Sequence, residues 1–261
     1  MLLAVIVLII VLAVAFIDCG GTSSGTGSGG TGISNGQSSP SATPSTKPSA
    51  MPTALFTPTA QRPLRLKNYG DSMGGELGMA LAPVAQSLSV VKYWTYYKVS
   101  SSLVKPSFFD WPAHLKEDLP HLHLDAAIWM VGTNDGQGMV ANGQVLAFDS
   151  SQWRSEYARR VAAVLATFKQ AGVRRVYWVG MPIMRSQSFS GVMKTINEVA
   201  KAEVAKHKDA TYIDAWKLLS TSAGAYDPRW RQSDGIHFNI DGQNRLAAAV
   251  MQTIKQDWHI Q

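Results

Sequence analysis

From about residue 62 onward, short apolar runs alternate with longer stretches in which apolar residues recur every three or four positions. The runs 125–131 (DAAIWMV) and 175–179 (RVYWV) are rich in β-branched and aromatic residues, which predicts buried strands. The clearest helix is predicted at 151–171, where five large apolar side chains share one face. This alternation of strands and helices is typical of βα units and a parallel sheet.

The pattern predicts five strands with helices between them. The strands are expected at 64–69, 90–99, 125–131, 175–179 and 211–214, and the helices at 76–88, 151–171, 191–207 and 241–257. Right-handed crossovers place such helices on both faces of the sheet. The predicted fold class is therefore α/β, a three-layer α/β/α sandwich around a mostly parallel sheet of about five strands. In these sheets a site lies outside the carboxyl ends of the strands.

The N-terminal 19 residues carry a different signal. Residues 2–17 are an unbroken apolar run, which is typical of a signal-peptide core or a membrane anchor. Cys19 follows the run at the place where a lipoprotein signal carries its lipidated cysteine. Lipidation of Cys19 and an uncleaved anchor are the two alternatives. Both alternatives predict an exported protein that is tethered to the membrane through its N-terminus. The rest of the chain is then expected on the outer side of the cytoplasmic membrane, or in the periplasm or outside the cell.

Residues 20–61 are rich in Gly, Ser, Thr and Pro and are predicted to form a disordered linker, because such a composition buries too little surface to offset its ordering entropy. The folded domain is then assigned to 62–261 and is expected to be a monomer. The net charge of +6 is not concentrated in a basic run, and no nucleic-acid-binding motif is present, so nucleic acid is not a predicted partner. A single cysteine excludes an intrachain disulfide and thiolate metal sites.

Residues that can carry out acyl transfer follow the predicted strands. A serine hydroxyl is a weak nucleophile that needs a base, and the base needs an orienting partner. Asp234 and His237 supply both on one loop, since a three-residue offset lets the carboxylate reach a ring nitrogen, and the other nitrogen is then free to face Ser72. The side-chain amide of Asn134 and the backbone N–H of Ser72 are candidate donors to the oxyanion of a tetrahedral intermediate.

Three motifs carry a family resemblance. Gly70-Asp71-Ser72, Gly132-Thr133-Asn134-Asp135 and Asp234-Gly235-Ile236-His237 resemble, in order, three sequence blocks of the SGNH (GDSL-type) hydrolases. The resemblance covers the domain after the linker and implies a flavodoxin-like fold. The alternative fold, an α/β-hydrolase with a Gly-x-Ser-x-Gly elbow, is rejected because only one strand precedes the serine.

The SGNH resemblance implies that Ser72 is the nucleophile, Asn134 an oxyanion donor and His237 the base. The family's second block has a glycine whose N–H joins the oxyanion hole, but the segment between Gly78 and Gly132 contains none. Ser102 is the expected replacement, since a backbone N–H needs no particular side chain.

The stretch 105–112, together with 178–182 and Arg185, resembles a poorly characterised cell-envelope branch of the family. That branch is similar to domains linked to acyl groups on surface polysaccharides. The resemblance assigns four residues to substrate binding, namely Asp71, Phe109, Trp111 and Arg185. Phe108, Phe109 and Trp111 are candidates to line the acceptor pocket, with ordinary core packing as the alternative for all three. No metal or organic cofactor is implied, and His114, His121 and His123 are interpreted as surface or structural residues. The loop 136–149 is either a gate or a plain surface loop.

The first function hypothesis is a serine esterase or deacylase that removes O-acyl groups, O-acetyl in particular, from a cell-envelope glycan or a small ester. The same acyl-enzyme would serve an O-acyltransferase, which is the first alternative. A non-catalytic module that binds glycan or protein on an SGNH scaffold is the second. The Ser102 replacement favours that module, and the intact Ser72, Asn134, Asp234 and His237 favour the enzyme.

Overall fold

A computed structural model describes residues 55–261, and its seven strands and six α-helices are built around one parallel sheet. The strands are β1 (Leu64–Gly70), β2 (Val91–Tyr97), β3 (Ala126–Met130), β4 (Met139–Ala141), β5 (Gln144–Leu146), β6 (Arg175–Val179) and β7 (Ala210–Ile213). The α-helices are α1 (Ser72–Gln86), α2 (Trp111–Asp118), α3 (Ser151–Gln170), α4 (Gln187–Val204), α5 (Ala215–Leu218) and α6 (Ile240–Asp257). Short 3-10 turns follow α2 and precede α6.

The main sheet has the strand order β2-β1-β3-β6-β7, and all its pairs are parallel. The chain leaves β1 through α1 toward β2, and leaves β3 through α3 in the opposite direction toward β6. Right-handed crossovers then place α1 and α3 on opposite faces. The point where the direction reverses lies between β1 and β3, and this is where doubly wound sheets bind ligands. The predicted α/β/α fold with five parallel strands is confirmed.

The packing of the helices agrees with these layers. α1 packs against α6 on one face, whereas α3 packs against α2 and α4 on the other. The central strand β3 is buried along its whole length, as expected for a strand covered on both faces. Trp129 at its centre lies edge-on to Trp111 at 5.0 Å and close to Trp178 at 5.6 Å. The core is therefore largely aromatic on the α3 face.

Element boundaries differ from the predictions where side chains cap the backbone. α1 begins at Ser72 rather than residue 76, because the carboxylate of Asp71 accepts hydrogen bonds from the N–H groups of Met73 and Gly74 and so turns a glycine-rich segment into a helix. The sequence pattern did not predict α2 or the β4–β5 hairpin. α2 has only two buried residues and β4 and β5 have three residues each, so neither leaves a clear periodicity.

Leu55 and Phe56, which the composition assigns to the linker, pack against the core. The Phe56 ring lies 5.1 Å from the ring of Trp258, and the guanidinium of Arg62 lies 3.8 Å above it. These residues therefore belong to the folded part of the chain. The predicted signal or anchor, Cys19 and most of the predicted linker lie outside the described residues. Within 55–261, no helix has the length and apolar character needed to cross a membrane.

We expect Gly74→Ala to lower the free energy of unfolding by about 1–3 kcal/mol or more, because the new methyl group would collide with the backbone carbonyl oxygen of Met130 where α1 approaches β3. The matched control is Gly191→Ala in α4, where a Cβ meets no atom within 4 Å. That change should raise the free energy of unfolding by about 0.4–1 kcal/mol. Urea unfolding measures both, and equal effects would contradict the close approach of α1 and β3.

Candidate active site

The loop after β1 and the loop before α6 bring Ser72, His237 and Asp234 together. The Nε2 atom of His237 lies 3.1 Å from the Oγ atom of Ser72, and its Nδ1 atom lies 2.6 Å from the Oδ2 atom of Asp234. The Oδ1 atom of Asp234 accepts hydrogen bonds from the N–H groups of Ile236 and His237 at 2.8 and 3.0 Å. The turn therefore holds the carboxylate and the imidazole in one fixed arrangement.

The hydrogen bonds determine where the imidazole carries its proton. Burial alone would raise the pKa of Asp234, but the hydrogen bonds from the His237 ring and from the N–H groups of Ile236 and His237 hold that pKa below its usual value. Asp234 is thus ionised at neutral pH and can only accept a hydrogen bond. Nδ1 of the neutral His237 then carries the hydrogen, and Nε2 is left to accept one from the Ser72 hydroxyl. This is the arrangement that a serine nucleophile and its base require.

Asp71 is not a substrate contact, contrary to the assignment from the sequence. Its side chain is fully buried, and its Oδ1 atom accepts from the N–H groups of Met73 and Gly74. Its Oδ2 atom accepts from the N–H groups of Gly132 at 3.1 Å and Thr133 at 2.9 Å. Burial raises the pKa of Asp71, while the backbone N–H groups oppose that rise. The residue joins the loop after β1 to the loop after β3.

The three predicted oxyanion donors lie on three neighbouring loops. Ser72 is the first residue of α1, where a backbone N–H has no acceptor within the helix. The Nδ2 atom of Asn134 donates to the carbonyl oxygen of Ser101 at 3.0 Å, which leaves its second hydrogen for another acceptor. The N–H of Ser102 donates to no group within the described part of the chain, and its Oγ accepts from the N–H of Lys105. The Asn134 side chain thus holds the segment that carries Ser102 beside its own loop.

A second buried carboxylate fixes the same segment. The Oδ1 atom of Asp135 accepts from the N–H groups of Leu103 at 2.7 Å and Val104 at 3.2 Å, and its Oδ2 atom accepts from the Tyr157 hydroxyl at 2.7 Å. Burial raises the pKa of Asp135 to about 6 against the effect of these hydrogen bonds. The sequence motif contained this residue but gave it no role. The structure shows that Asp135 anchors the loop after β2.

A third carboxylate, which the sequence reading missed, supports His237 from α1. The Oε2 atom of Glu76 accepts from the N–H of Phe238 at 2.9 Å, and its Oε1 atom accepts from the Nε2 atom of Gln232 at 3.1 Å. The backbone N–H of Gln232 in turn donates to the carbonyl oxygen of His237 at 2.8 Å. Glu76 lies four residues after Ser72 on α1, and this helical spacing was the available signal.

Arg185 braces the turn that carries the acid and the base. Its two terminal nitrogens donate to the carbonyl oxygens of Ser233 and Asp234, both at 2.8 Å. Its side chain also packs over Gly235, which has a φ of +75° and no room for a Cβ. These contacts give Arg185 a structural role, and since its side chain is exposed, its contact with substrate stays a prediction.

The predicted aromatic substrate contacts are core residues. Trp111 is 1% exposed, and its indole N–H donates to the Oγ of Ser101 at 3.1 Å. Phe109 is half-buried and packs edge-on to Trp111 at 4.9 Å and stacked on Tyr96 at 6.2 Å. Ordinary core packing, the alternative left open by the sequence, is thus correct for Trp111, whereas a contact of the half-buried Phe109 with substrate stays a prediction. His114 stacks on Tyr96 at 4.0 Å in the same cluster.

The loop 136–149 contains the β4–β5 hairpin. Arg160 of α3 holds it, because its guanidinium donates to the carbonyl oxygens of Val140 and Leu103 at 2.8 and 2.7 Å. The hairpin is therefore attached to the same segment that Asp135 anchors. In residues 55–261, no three His, Cys, Asp or Glu side chains form a group that could hold a metal ion.

Comparison with known proteins gives one family and a set of similar folds. The family model described as "Protein of unknown function (DUF459)" matches residues 65–253. No curated protein sequence matches the chain. A GDSL-like lipase from Bacteroides thetaiotaomicron has 14% identity and a TM-score of 0.55, and the match covers 74% of this chain and 88% of that one.

A catalytic mutant of an acetylxylan esterase from Geobacillus stearothermophilus is similar to the same extent. It has 14% identity and a TM-score of 0.53, and the match covers 72% of this chain and 93% of the esterase. At such identities the likeness concerns the fold. The fold that the SGNH resemblance implied is therefore confirmed.

Asp71→Asn should lower the free energy of unfolding by about 2–4 kcal/mol, because an amide NH2 would face backbone N–H donors inside the protein. The matched control is Asp110→Asn. Asp110 also caps a helix, α2, but it is exposed and accepts from the single N–H of Ala113. Since asparagine caps helices about as well as aspartate, this control should change stability by less than about 0.5 kcal/mol. Denaturant unfolding of both variants tests the difference.

Asp135→Asn should remove one component of the pH dependence of stability. The pKa of Asp135 rises from 3.8 to about 6 on folding, so its contribution to stability is complete below about pH 4 and is lost as the pH rises through about 6. The variant retains an oxygen for Leu103 and Val104 and can donate to the Tyr157 oxygen. Between pH 4 and 7, the free energy of unfolding of wild type should therefore fall by on the order of 3 kcal/mol relative to that of Asp135→Asn. A difference that is constant with pH would show that Asp135 stays ionised.

Proposed function

The chain belongs to the DUF459 family, and we propose that it is a serine ester hydrolase of the SGNH type that removes O-acyl groups from a cell-envelope glycan. The observation that carries this proposal is the continuous contact from Asp234 through His237 to Ser72, with distances of 2.6 and 3.1 Å. The fold shared with a lipase and an acetylxylan esterase supports the reaction class.

The reaction proceeds through an acyl-enzyme. Ser72 Oγ bonds to the ester carbonyl carbon while its proton passes to Nε2 of His237, and the oxyanion receives hydrogen bonds from Ser72 N–H, Asn134 Nδ2 and Ser102 N–H. The C–O bond to the alcohol then breaks, and the alcohol oxygen takes the proton from His237. Water then attacks the acyl carbon and gives a proton to Nε2 of His237. The bond from the acyl carbon to Ser72 Oγ breaks, the carboxylic acid leaves, and Oγ takes the proton from His237, which restores the serine hydroxyl.

The exposure of the reacting groups supports a bulky alcohol portion in the substrate. The side chain of His237 is 33% exposed and that of Asp234 is 42% exposed. A site that is open to this degree admits an ester on a polymer, whereas a deep cleft would select small molecules. The apolar N-terminal run, with its two alternatives of lipidation at Cys19 or an uncleaved anchor, supports an envelope location and hence an envelope glycan.

The same acyl-enzyme serves an O-acyltransferase when a sugar hydroxyl replaces water. The exposure of His237 favours the hydrolase, because water then reaches Nε2 without displacement of a bound acceptor. A non-catalytic binding module has less support, since binding alone does not require the Asp234–His237–Ser72 contacts.

We expect the purified full-length chain to hydrolyse p-nitrophenyl acetate, and Ser72→Ala and His237→Ala to lower kcat/KM by at least about 10³-fold with folding intact. Matched controls are Ser87→Ala, an exposed serine after the last turn of α1, and His121→Ala, an exposed histidine. Both controls should keep wild-type rates. Equal activity in all five proteins would refute the assignment, and acyl transfer to added oligosaccharide in preference to water would identify the transferase.

A further inference from the structure

An apolar surface adjoins the nucleophile. Eight large hydrophobic side chains are exposed in the described part of the chain, and four of them, apart from Val84 near the end of α1, lie on α1 or on β2 and the loop after it, the elements that flank Ser72. They are Met79, Tyr97, Val99 and Phe108, which are 51%, 43%, 54% and 49% exposed. Single exposed hydrophobic residues are ordinary, but a group beside a reactive centre is typical of a binding surface.

Contacts connect this surface to Ser72. The ring of Tyr97 covers Gly75, one turn after Ser72, so closely that a Cβ on Gly75 would come within 2.6 Å of the Tyr97 Cγ atom. Met79 follows Gly75 by four residues and therefore lies on the same side of α1. The backbone at residue 98 is fixed next to the nucleophile loop by a 2.9 Å hydrogen bond to the carbonyl oxygen of Gly70.

Phe108 extends the surface beyond Tyr97. The ammonium group of Lys98 lies 5.8 Å from the centre of the Phe108 ring, so the two residues are neighbours across the loop. Lys98 stands directly between Tyr97 and Val99 in the chain. The loop that presents Phe108 also presents the N–H of Ser102, the proposed oxyanion donor. We therefore expect a group bound on Tyr97 and Phe108 to lie on the same side of the site as the proposed oxyanion donor.

We propose that Tyr97 and Phe108 form a platform that binds a sugar ring of the alcohol portion of the ester substrate; this inference rests on the proposed esterase function. A pyranose ring has faces of C–H groups that pack on aromatic rings, and hydroxyl groups at its edge that need polar partners. The platform supplies both, because the exposed aromatic rings alternate with the exposed side chains of Lys98, Ser100 and Ser107.

An alkyl chain is a poorer occupant of this surface. A fatty acyl group gains free energy only in proportion to the apolar area that it removes from water, and it requires walls on several sides. The Tyr97 and Phe108 side chains are nearly half exposed and are surrounded by charged and hydroxyl groups. A sugar ring can both pack on the aromatic rings and hydrogen-bond to these polar side chains, whereas an alkyl chain gains nothing from the polar side chains.

Kinetics on three esters test the platform. In Phe108→Ala and Tyr97→Leu, kcat/KM for acetylated xylotetraose should fall about tenfold through KM, since each loses about 1.4 kcal/mol of stacking. The rate on p-nitrophenyl acetate, which has no sugar, should stay within about twofold. The control is Val84→Ala, an exposed apolar residue on α1 three turns from Ser72, with no change on any ester. An equal fall on all esters, or a selective fall on p-nitrophenyl octanoate, would overturn the proposal.

Binding distinguishes failure of the platform from failure of the esterase assignment. Saturation-transfer NMR of the Ser72→Ala protein with xylotetraose, cellotetraose and chitotetraose measures sugar binding without turnover. The platform is supported if one of these sugars binds to Ser72→Ala, binds more weakly when Phe108→Ala is added, and binds equally well when Val84→Ala is added instead. This result would stand even if wild type hydrolyses no ester. Absence of binding to all three, or binding unaffected by Phe108→Ala, overturns it while the esterase assignment stands on its own kinetics.

Discussion

The arrangement of the candidate site depends on the burial of one carboxylate. Asp71 has no contact with solvent, and both of its oxygens are occupied by backbone N–H groups of α1 and of the loop after β3. A charged group inside a protein is tolerated only when such partners surround it. Ser72 follows Asp71 directly in the chain, and Asn134 follows Thr133, whose N–H binds the same carboxylate from the other loop. The carboxylate therefore determines how far apart the candidate nucleophile and the candidate oxyanion donor lie.

Two other buried carboxylates around the site also accept hydrogen bonds from backbone N–H groups. Asp135 holds the loop after β2, and Glu76 holds the loop with His237, in each case through backbone N–H groups. The three buried carboxylates thus attach four chain segments to one another, whereas the reacting groups of His237 and Asp234 remain partly exposed. Rigid support beneath an open surface is the arrangement that positions a nucleophile and still admits a large substrate.

Sequence patterns predicted the sheet because its central strands β3 and β6 are nearly all apolar and β2 is rich in aromatic residues. They also predicted Ser72, Asp234 and His237 as a group, since motif order and the three-residue offset reflect direct contacts. Sequence patterns did not predict the roles of residues whose side chains hydrogen-bond to backbone groups. The burial of Asp71 and the backbone partners of Arg185 are not visible in the sequence. The burial of Trp111 is likewise not visible there, because it depends on packing between elements that are distant in the chain. Tyr97 carried no motif, and its place beside α1 follows only from the pairing of β1 and β2.

Asp234 and His237, the candidate acid and base, lie together on one turn of four residues, which Asp234 stabilises through its own backbone contacts. Because the two residues are so close in sequence, a change in one short segment of the gene removes both. A gene duplicate would lose the proposed hydrolysis through the exchange of this single surface turn, while the sheet, the helices and the serine loop are retained. Active and inactive homologues would then differ at this turn and share the same core.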